Sequence, residues 1–165
     1  MHHELDAIDL QILQLLQEHG RMKRTELAER VGLSLPALSE RMRKLEARGF
    51  IEGYHAVVAH KALGIDITAF IRVFVDGSPY YAGFVERATA LPEVLECHSI
   101  TGEGSHLLKV RTRNTTTLER LLSTIQAWPG VKQTQTSIVL STFKETRALP
   151  IGLSDTVSAE PQKQE

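Results

Sequence analysis

Cysteine is nearly absent from this sequence: its 165 residues contain one, Cys97. A single thiol excludes an internal disulfide framework and any cysteine-rich zinc site. Aromatic residues are sparse at 5%, with one tryptophan. Long apolar runs are missing, and no stretch approaches the roughly 18 residues that a membrane-spanning helix requires. The opening MHHELDAID lacks the apolar centre of a secretory leader, so the expected location is the cytoplasm. Net charge is almost missing too, at −1. As a total, that value gives no reason to expect a nucleic-acid partner. What is present, 42% hydrophobic and 24% charged residues, is the balance of a folded globular chain.

The small total hides an uneven distribution. Residues 1–20 carry Glu4, Asp6, Asp9 and Glu18 and no lysine or arginine. Residues 21–48 carry eight bases (Arg21, Lys23, Arg24, Arg30, Arg41, Arg43, Lys44 and Arg48) against Glu26, Glu29, Glu40 and Glu46, a surplus of four. Residues 149–165 are acidic again, with Asp155, Glu160 and Glu165 against Lys163. Mixed charge often does no more than solvate helix faces, so the basic segment has to be placed on a structure before it means anything.

Three helices are predicted there. Leu5, Ile8, Ile12, Leu15 and Leu16 recur at helical steps over 5–18, and His19-Gly20 ends the run. A second helix covers 24–31, with Leu27, Ala28 and Val31 as its apolar face and Gly32 as its stop. A third runs over 35–48. Ser34 is placed to accept a first-turn amide, Pro36 fits a turn that needs no amide hydrogen, and Gly49 ends it. Leu38, Met42 and Leu45 share one stripe of this helix, while Pro36, Ser39, Glu40, Arg43 and Lys44 fall opposite. A short helix, a tight Gly-Leu-Ser turn and a helix with a basic-polar face make a helix-turn-helix, whose second helix suits a DNA major groove. The following Phe50 to Val58 reads as a short strand or ribbon, giving a small winged unit over 1–53 and a linker strand over 54–65.

The rest alternates strands and helices: strand 67–75, helix 80–90 with Phe84, Val85 and Ala88 inward, strand 94–100, strand 106–112, helix 115–127 and strand 131–140. The order βαββαβ predicts a ferredoxin-like sandwich over 66–148, so the chain is expected to be α+β. Helices on one face leave the other sheet face bare. The first and fourth strands carry apolar residues on both faces, so that face is expected to bury against a second copy, giving at least a homodimer. Residues 149–165 read as a flexible tail.

The order of parts resembles the Lrp/AsnC, or feast/famine, family of transcription regulators. LDAIDLQILQLLQEHGR resembles its first helix, and ELAERVGLS with LSERMRKLEARGFIEGY its helix-turn-helix and exit strand. ECHSITGEGSHLLKVRT resembles the central turn of its ligand-sensing (RAM-type) domain, and PGVKQTQTSIVLSTFKE its last strands. The resemblance covers residues 4–147. It implies a dimer that binds double-stranded DNA and assembles further, often to an octamer or disc. It also implies a small effector, usually an amino acid, that shifts assembly and DNA affinity. The family often has an Asp and then an aromatic where Ser105 and His106 stand here, and Ser cannot supply a carboxylate for a ligand's ammonium group. The second helix lacks the family's usual Ser or Thr cap. Lys23 and Arg24 stand near its start, and Thr25 serves instead if the helix begins later.

On this reading Arg43 and Lys44 contact groove or phosphate, Ser39 and Pro36 approach the bases, and Ser34 adds a phosphate hydrogen bond. Arg21, Lys23, Arg24 and Arg48 position the duplex backbone. The effector is expected around Thr101, Gly102, Glu103, Gly104, Ser105 and His106, with Thr134 and Thr136 nearby, because glycines admit close backbone approach and the rest supply polar groups. No cofactor or metal is called for. Cys97 and His98 neighbour each other in a strand and so point to opposite faces, and His55 and His60 have no partner ligand. No catalytic signature is present. One reading of another class remains, an enzyme resembling sirohaem decarboxylases, which share this two-domain architecture. A regulator needs the basic-polar helix face; such an enzyme does not.

Overall fold

The computed structural model describes residues 5–151. The described chain divides into two compact units. One comprises residues 5–57 with 145–151, and the other residues 58–144.

The first unit is built on three helices, α1 (Ala7–Glu18), α2 (Arg24–Val31) and α3 (Leu35–Ala47). Asp6 starts α1 with a reciprocal cap: its carboxylate accepts from the Asp9 amide at 2.8 Å, and the Asp9 carboxylate accepts from the Asp6 amide at 3.4 Å. α2 begins at Arg24 after an uncapped Lys23, which places Thr25 inside the helix rather than at its cap. Gly32 then takes the left-handed conformation at φ 69°, where a side chain would be strained. Ser34 Oγ accepts from the Ala37 amide at 3.4 Å and opens α3. Ile12, Leu27, Ala28, Val31, Leu38, Met42 and Leu45 fill the centre between the helices.

The expected strand after α3 does not form. The Phe50 and Ile51 amides turn back to the Leu45 carbonyl at 2.9 and 3.3 Å, closing the helix end instead of pairing sideways. A strand is a pairing, and no described segment forms a backbone ladder with 50–59, where Val57 and Val58 stand exposed. The predicted linker strand is likewise broken by a 3₁₀ turn, His60–Leu63, that ends on left-handed Gly64.

Residues 145–151, which span the expected end of the sandwich and start of the tail, lie along α1. The Gln17 side chain grips Leu149 by both backbone groups, accepting from its amide at 2.6 Å and donating to its carbonyl at 3.1 Å. The remainder of the expected tail, 152–165, lies outside the described residues.

The second unit has strands β1 (Ile67–Val75), β2 (Val94–Ser99), β3 (His106–Thr112) and β4 (Val131–Ile138), with helices α4 (Tyr81–Ala90) and α5 (Thr115–Gln126). The sheet is antiparallel in the order β2-β3-β1-β4. Both helices cover one face. Phe84, Ala88, Leu118, Leu121 and Ile125 pack there on Ala69, Ile71, Val73, Val75, Leu108 and Val110. Two expectations fail in this unit. Val85 stays exposed, because residues 84 and 88 already take the sheet-facing stripe of α4. The outward face of β4 is polar, since register with β1 turns Gln133, Gln135 and Ser137 outward and leaves Val131, Thr134, Thr136 and Ile138 on the helix side. The bare face therefore draws its apolar groups, Phe70, Phe74 and Leu107, from β1 and β3.

Candidate functional site

α3 presents Leu35, Pro36, Ala37, Glu40, Arg43 and Lys44 to solvent, with Ser39 half-buried beside them. The basic surplus read from the sequence is less free than it looks. Arg43 makes a two-pronged contact with Glu40, Nε to Oε2 at 2.9 Å and Nη2 to Oε1 at 2.8 Å, and Lys44 Nζ lies 3.7 Å from the same carboxylate. The hydrogen bond from Arg43, ahead of its charge and that of Lys44, holds the Glu40 carboxyl at about 2, so Glu40 stays ionised at any working pH. An exposed pair of this kind holds little free energy. A phosphate or guanine edge can displace it at small cost. Arg21, Lys23 and Arg24 are exposed around the turn into α2 and the start of that helix. Arg48 caps the far end of α3, its guanidinium 4.8 Å from the Phe50 ring centre. At 1.5 Å per residue, Arg48 lies about 18 Å along the axis from Pro36, a span suited to backbone contacts flanking a groove.

Arg41 does not belong to this surface. Its Nη1 meets Asp6 Oδ2 at 2.6 Å and Asp9 Oδ1 at 2.8 Å, tying α3 to the capped start of α1. The sequence carried a signal for this, because 38, 41 and 45 follow three- and four-residue steps and so put Arg41 on the apolar stripe. Arg41→Ala should cost about 1–2 kcal/mol of stability. The Asp6 backbone bond to Asp9 and the Arg41 contact both hold the Asp6 carboxyl below its ordinary 3.8. A carboxylate lowered on folding contributes stability above that ordinary value and loses it as pH falls further. Urea denaturation should therefore show the Arg41→Ala deficit at pH 7 and a smaller one below pH 3.8. An equal deficit at both values would rule out this pairing as its cause.

In the second unit the candidate effector residues fall into two groups. Ser105 and His106 turn inward. Ser105 Oγ donates to the Val73 carbonyl and accepts from the Val75 amide, both at 3.2 Å, bracing the end of β1. His106 Nδ1 lies 2.9 Å from Ser105 Oγ, and since the single hydroxyl proton serves Val73, the ring nitrogen is the donor. The imidazole is buried between Tyr81 and Phe84, with ring centres at 5.0 and 4.7 Å, and burial pushes its pKa down. Thr134 and Thr136 share this helix side, and Thr134 Oγ1 accepts from Gln126 Nε2 at 2.7 Å. Thr101, Gly102 and Glu103 are exposed, and Gly104 is half-buried against the open face. Gly104 sits at φ 78°, and a Cβ there would stand 2.7 Å from Arg72 Cγ and 3.2 Å from the Val73 carbonyl. Gly104→Ala should cost about 1–2 kcal/mol through backbone strain, read as a lowered thermal midpoint. Sequence reasoning passed over Arg72, which only the strand register places beside this loop. Cys97 packs against the core, where burial raises its pKa, while His98 faces the other way and lies 3.2 Å from Glu96.

Three helices that expose a polar stripe of α3, followed in the chain by a βαββαβ sandwich, define a two-unit protein with a helix-turn-helix. The comparisons with known proteins agree. A profile described as winged helix-turn-helix DNA-binding matches residues 5–52, and one described as Lrp/AsnC ligand binding domain matches residues 68–149. The HTH-type transcriptional regulator FL11 of Pyrococcus horikoshii is 37% identical over 147 residues, covering 89% of this chain and 97% of that protein. The leucine-responsive regulatory protein of Escherichia coli (strain K12) is 36% identical over 151 residues, covering 90% and 92%. A transcriptional regulator of Neisseria meningitidis, solved as a complex with L-Met, superposes with a TM-score of 0.85 at 34% identity, covering 90% and 98%. The chain belongs to the Lrp/AsnC family. It is a DNA-binding transcriptional regulator, and these relatives give no support to the sirohaem-decarboxylase alternative.

Proposed function

We propose that α3 enters the major groove of an operator and that a small effector, an amino acid in the first instance, acts at the 101–106 loop to shift assembly and DNA affinity. Arg43 and Lys44 make groove or phosphate contacts, Pro36 and Ser39 approach the bases, and Ser34, Arg21, Lys23, Arg24 and Arg48 hold the backbone. The observation that carries this reading is the exposed Glu40–Arg43–Lys44 cluster opposite the buried Leu38, Met42 and Leu45 stripe. Two sites of one kind read a two-fold operator only if the chain pairs. Phe70, Phe74 and Leu107 on the open sheet face, with the unpaired 50–59 segment, suit a homodimer and further assembly to an octamer or disc. No helix among the described residues is long and apolar enough to cross a membrane, which accords with action in the cytoplasm. Selection of bound fragments from a genomic library, with and without each of the twenty amino acids, tests both halves. Sedimentation of the same samples follows the assembly. Recovery of a shared two-fold motif, with one amino acid changing occupancy, is the expected result. Fragments without a common motif would end the operator reading.

A further inference from the structure

We propose that Arg72 is the anion-binding group of the 101–106 loop, and that the ligand is recognised there as a small carboxylate whether or not it carries an amino group. This rests on the reading of that loop as the effector site and assigns the chemistry it selects. Register roots Arg72 between Leu107 and Gln135 on the open sheet face, the face that suits a second copy, and its side chain runs under Gly104 to bring Nη1 within 3.8 Å of Glu103 Oε2 in the loop. The loop closes directly over its stem: the Ser105 amide donates to the Val73 carbonyl at 2.9 Å, and only the missing side chain of Gly104 leaves room for Arg72 Cγ and Cδ.

The guanidinium held there is poorly matched. Its Nε is buried without a hydrogen-bond acceptor among the described residues. Its Nη1 has two distant acceptors, the neutral Gln135 Oε1 at 3.3 Å and Glu103 Oε2 at 3.8 Å, and the Glu103 side chain is 81% exposed. Two other cations of the unit, Lys109 at 3.2 Å from Glu96 and Lys132 at 3.0 Å from Asp76, are closer to a carboxylate. An arginine offers five donors in a planar fork, and its best complement is a carboxylate with two parallel oxygens. The loop offers no acid for an ammonium group apart from Glu103, since position 105 is a serine whose hydroxyl is committed to Val73 and Val75. A cation is thus supplied for a ligand's acid, and little is supplied for its amine.

The full chain would be titrated by calorimetry with L-leucine, L-methionine, their 2-oxo acids and their carboxamides. The expected result is that a 2-oxo acid binds within about threefold of its amino acid and the carboxamide binds at least tenfold more weakly. This comparison needs no variant. Arg72→Gln should then weaken the acids at least tenfold, with Arg72→Lys recovering part of the loss, while the thermal midpoint of each variant stays near that of the parent. A carboxamide that binds as well as its acid, or a 2-oxo acid that fails where the amino acid binds, overturns the proposal and leaves the effector loop standing. So does an Arg72→Gln variant with altered sedimentation and unchanged ligand affinity, which would make Arg72 an assembly contact. If none of the six compounds binds, the proposal falls together with the amino-acid reading of the loop for these side chains.

Discussion

Arg43→Ala is expected to weaken operator binding by about 10- to 100-fold, the worth of one good bidentate contact. Arg43 lies on the exposed stripe of α3, about two and a half turns from the Ser34 cap, and its fork is paired with Glu40. Because Glu40 remains ionised, its carboxylate competes for Arg43 in the free protein, and DNA must exchange one anion for another. Two consequences separate a groove contact from a phosphate contact. If Arg43 meets a base edge, the variant loses discrimination among operator sequences. If it meets phosphate, affinity falls evenly and the salt slope drops by about one. Glu40→Ala should act in the opposite sense, raising affinity for unrelated DNA by removing the competing acid. A mobility-shift series in which Arg43→Ala binds like the parent at every salt concentration would take Arg43 out of the interface.

The second large effect is in the sandwich core. Phe84→Ala should destabilise this unit by about 3–5 kcal/mol, the range for deleting a buried aromatic side chain. Phe84 is 1% exposed, with its ring centre 4.7 Å from that of His106 and 5.6 Å from that of Trp128. The cavity left behind would open beside the ring that holds the inward end of the 101–106 loop. Trp128 is the only tryptophan in the chain, so its emission reports this unit alone. Urea unfolding followed by that emission should shift its midpoint down by more than about 1 M. A shift below 0.3 M, on the same m-value scale, would mean that α4 repacks over the gap.

Elements with local signals were the ones legible in the sequence. Ser34, Pro36 and Gly49 bracket α3, and Gly32 stops α2, because caps and left-handed turns act over three or four residues. The βαββαβ order was legible for the same reason. Partners distant in sequence were not. Residues 50–58 have a strand-like composition, yet a strand needs a neighbour that composition does not supply. Asp6 and Arg41 are 35 positions apart, and Arg72 meets Glu103 and Gln135 only through sheet register. The inward turn of Ser105 and His106 depends on the pairing of His106 with Val73, a parity that one residue of slip would reverse. The candidate loop was legible as a place, and the side of the sheet on which each of its groups lies was not.

The Gln17–Leu149 clasp makes the DNA-reading unit a discontinuous domain, assembled from both ends of the described chain with the sandwich inserted between them. A gene fragment cut at residue 57 would omit the stretch that covers one side of α1 and leave Gln17 without its backbone partner. Excision experiments that judge the reader by such a fragment would measure an incomplete object. A faithful isolated reader has to carry 145–151 on a short artificial connection in place of the sandwich.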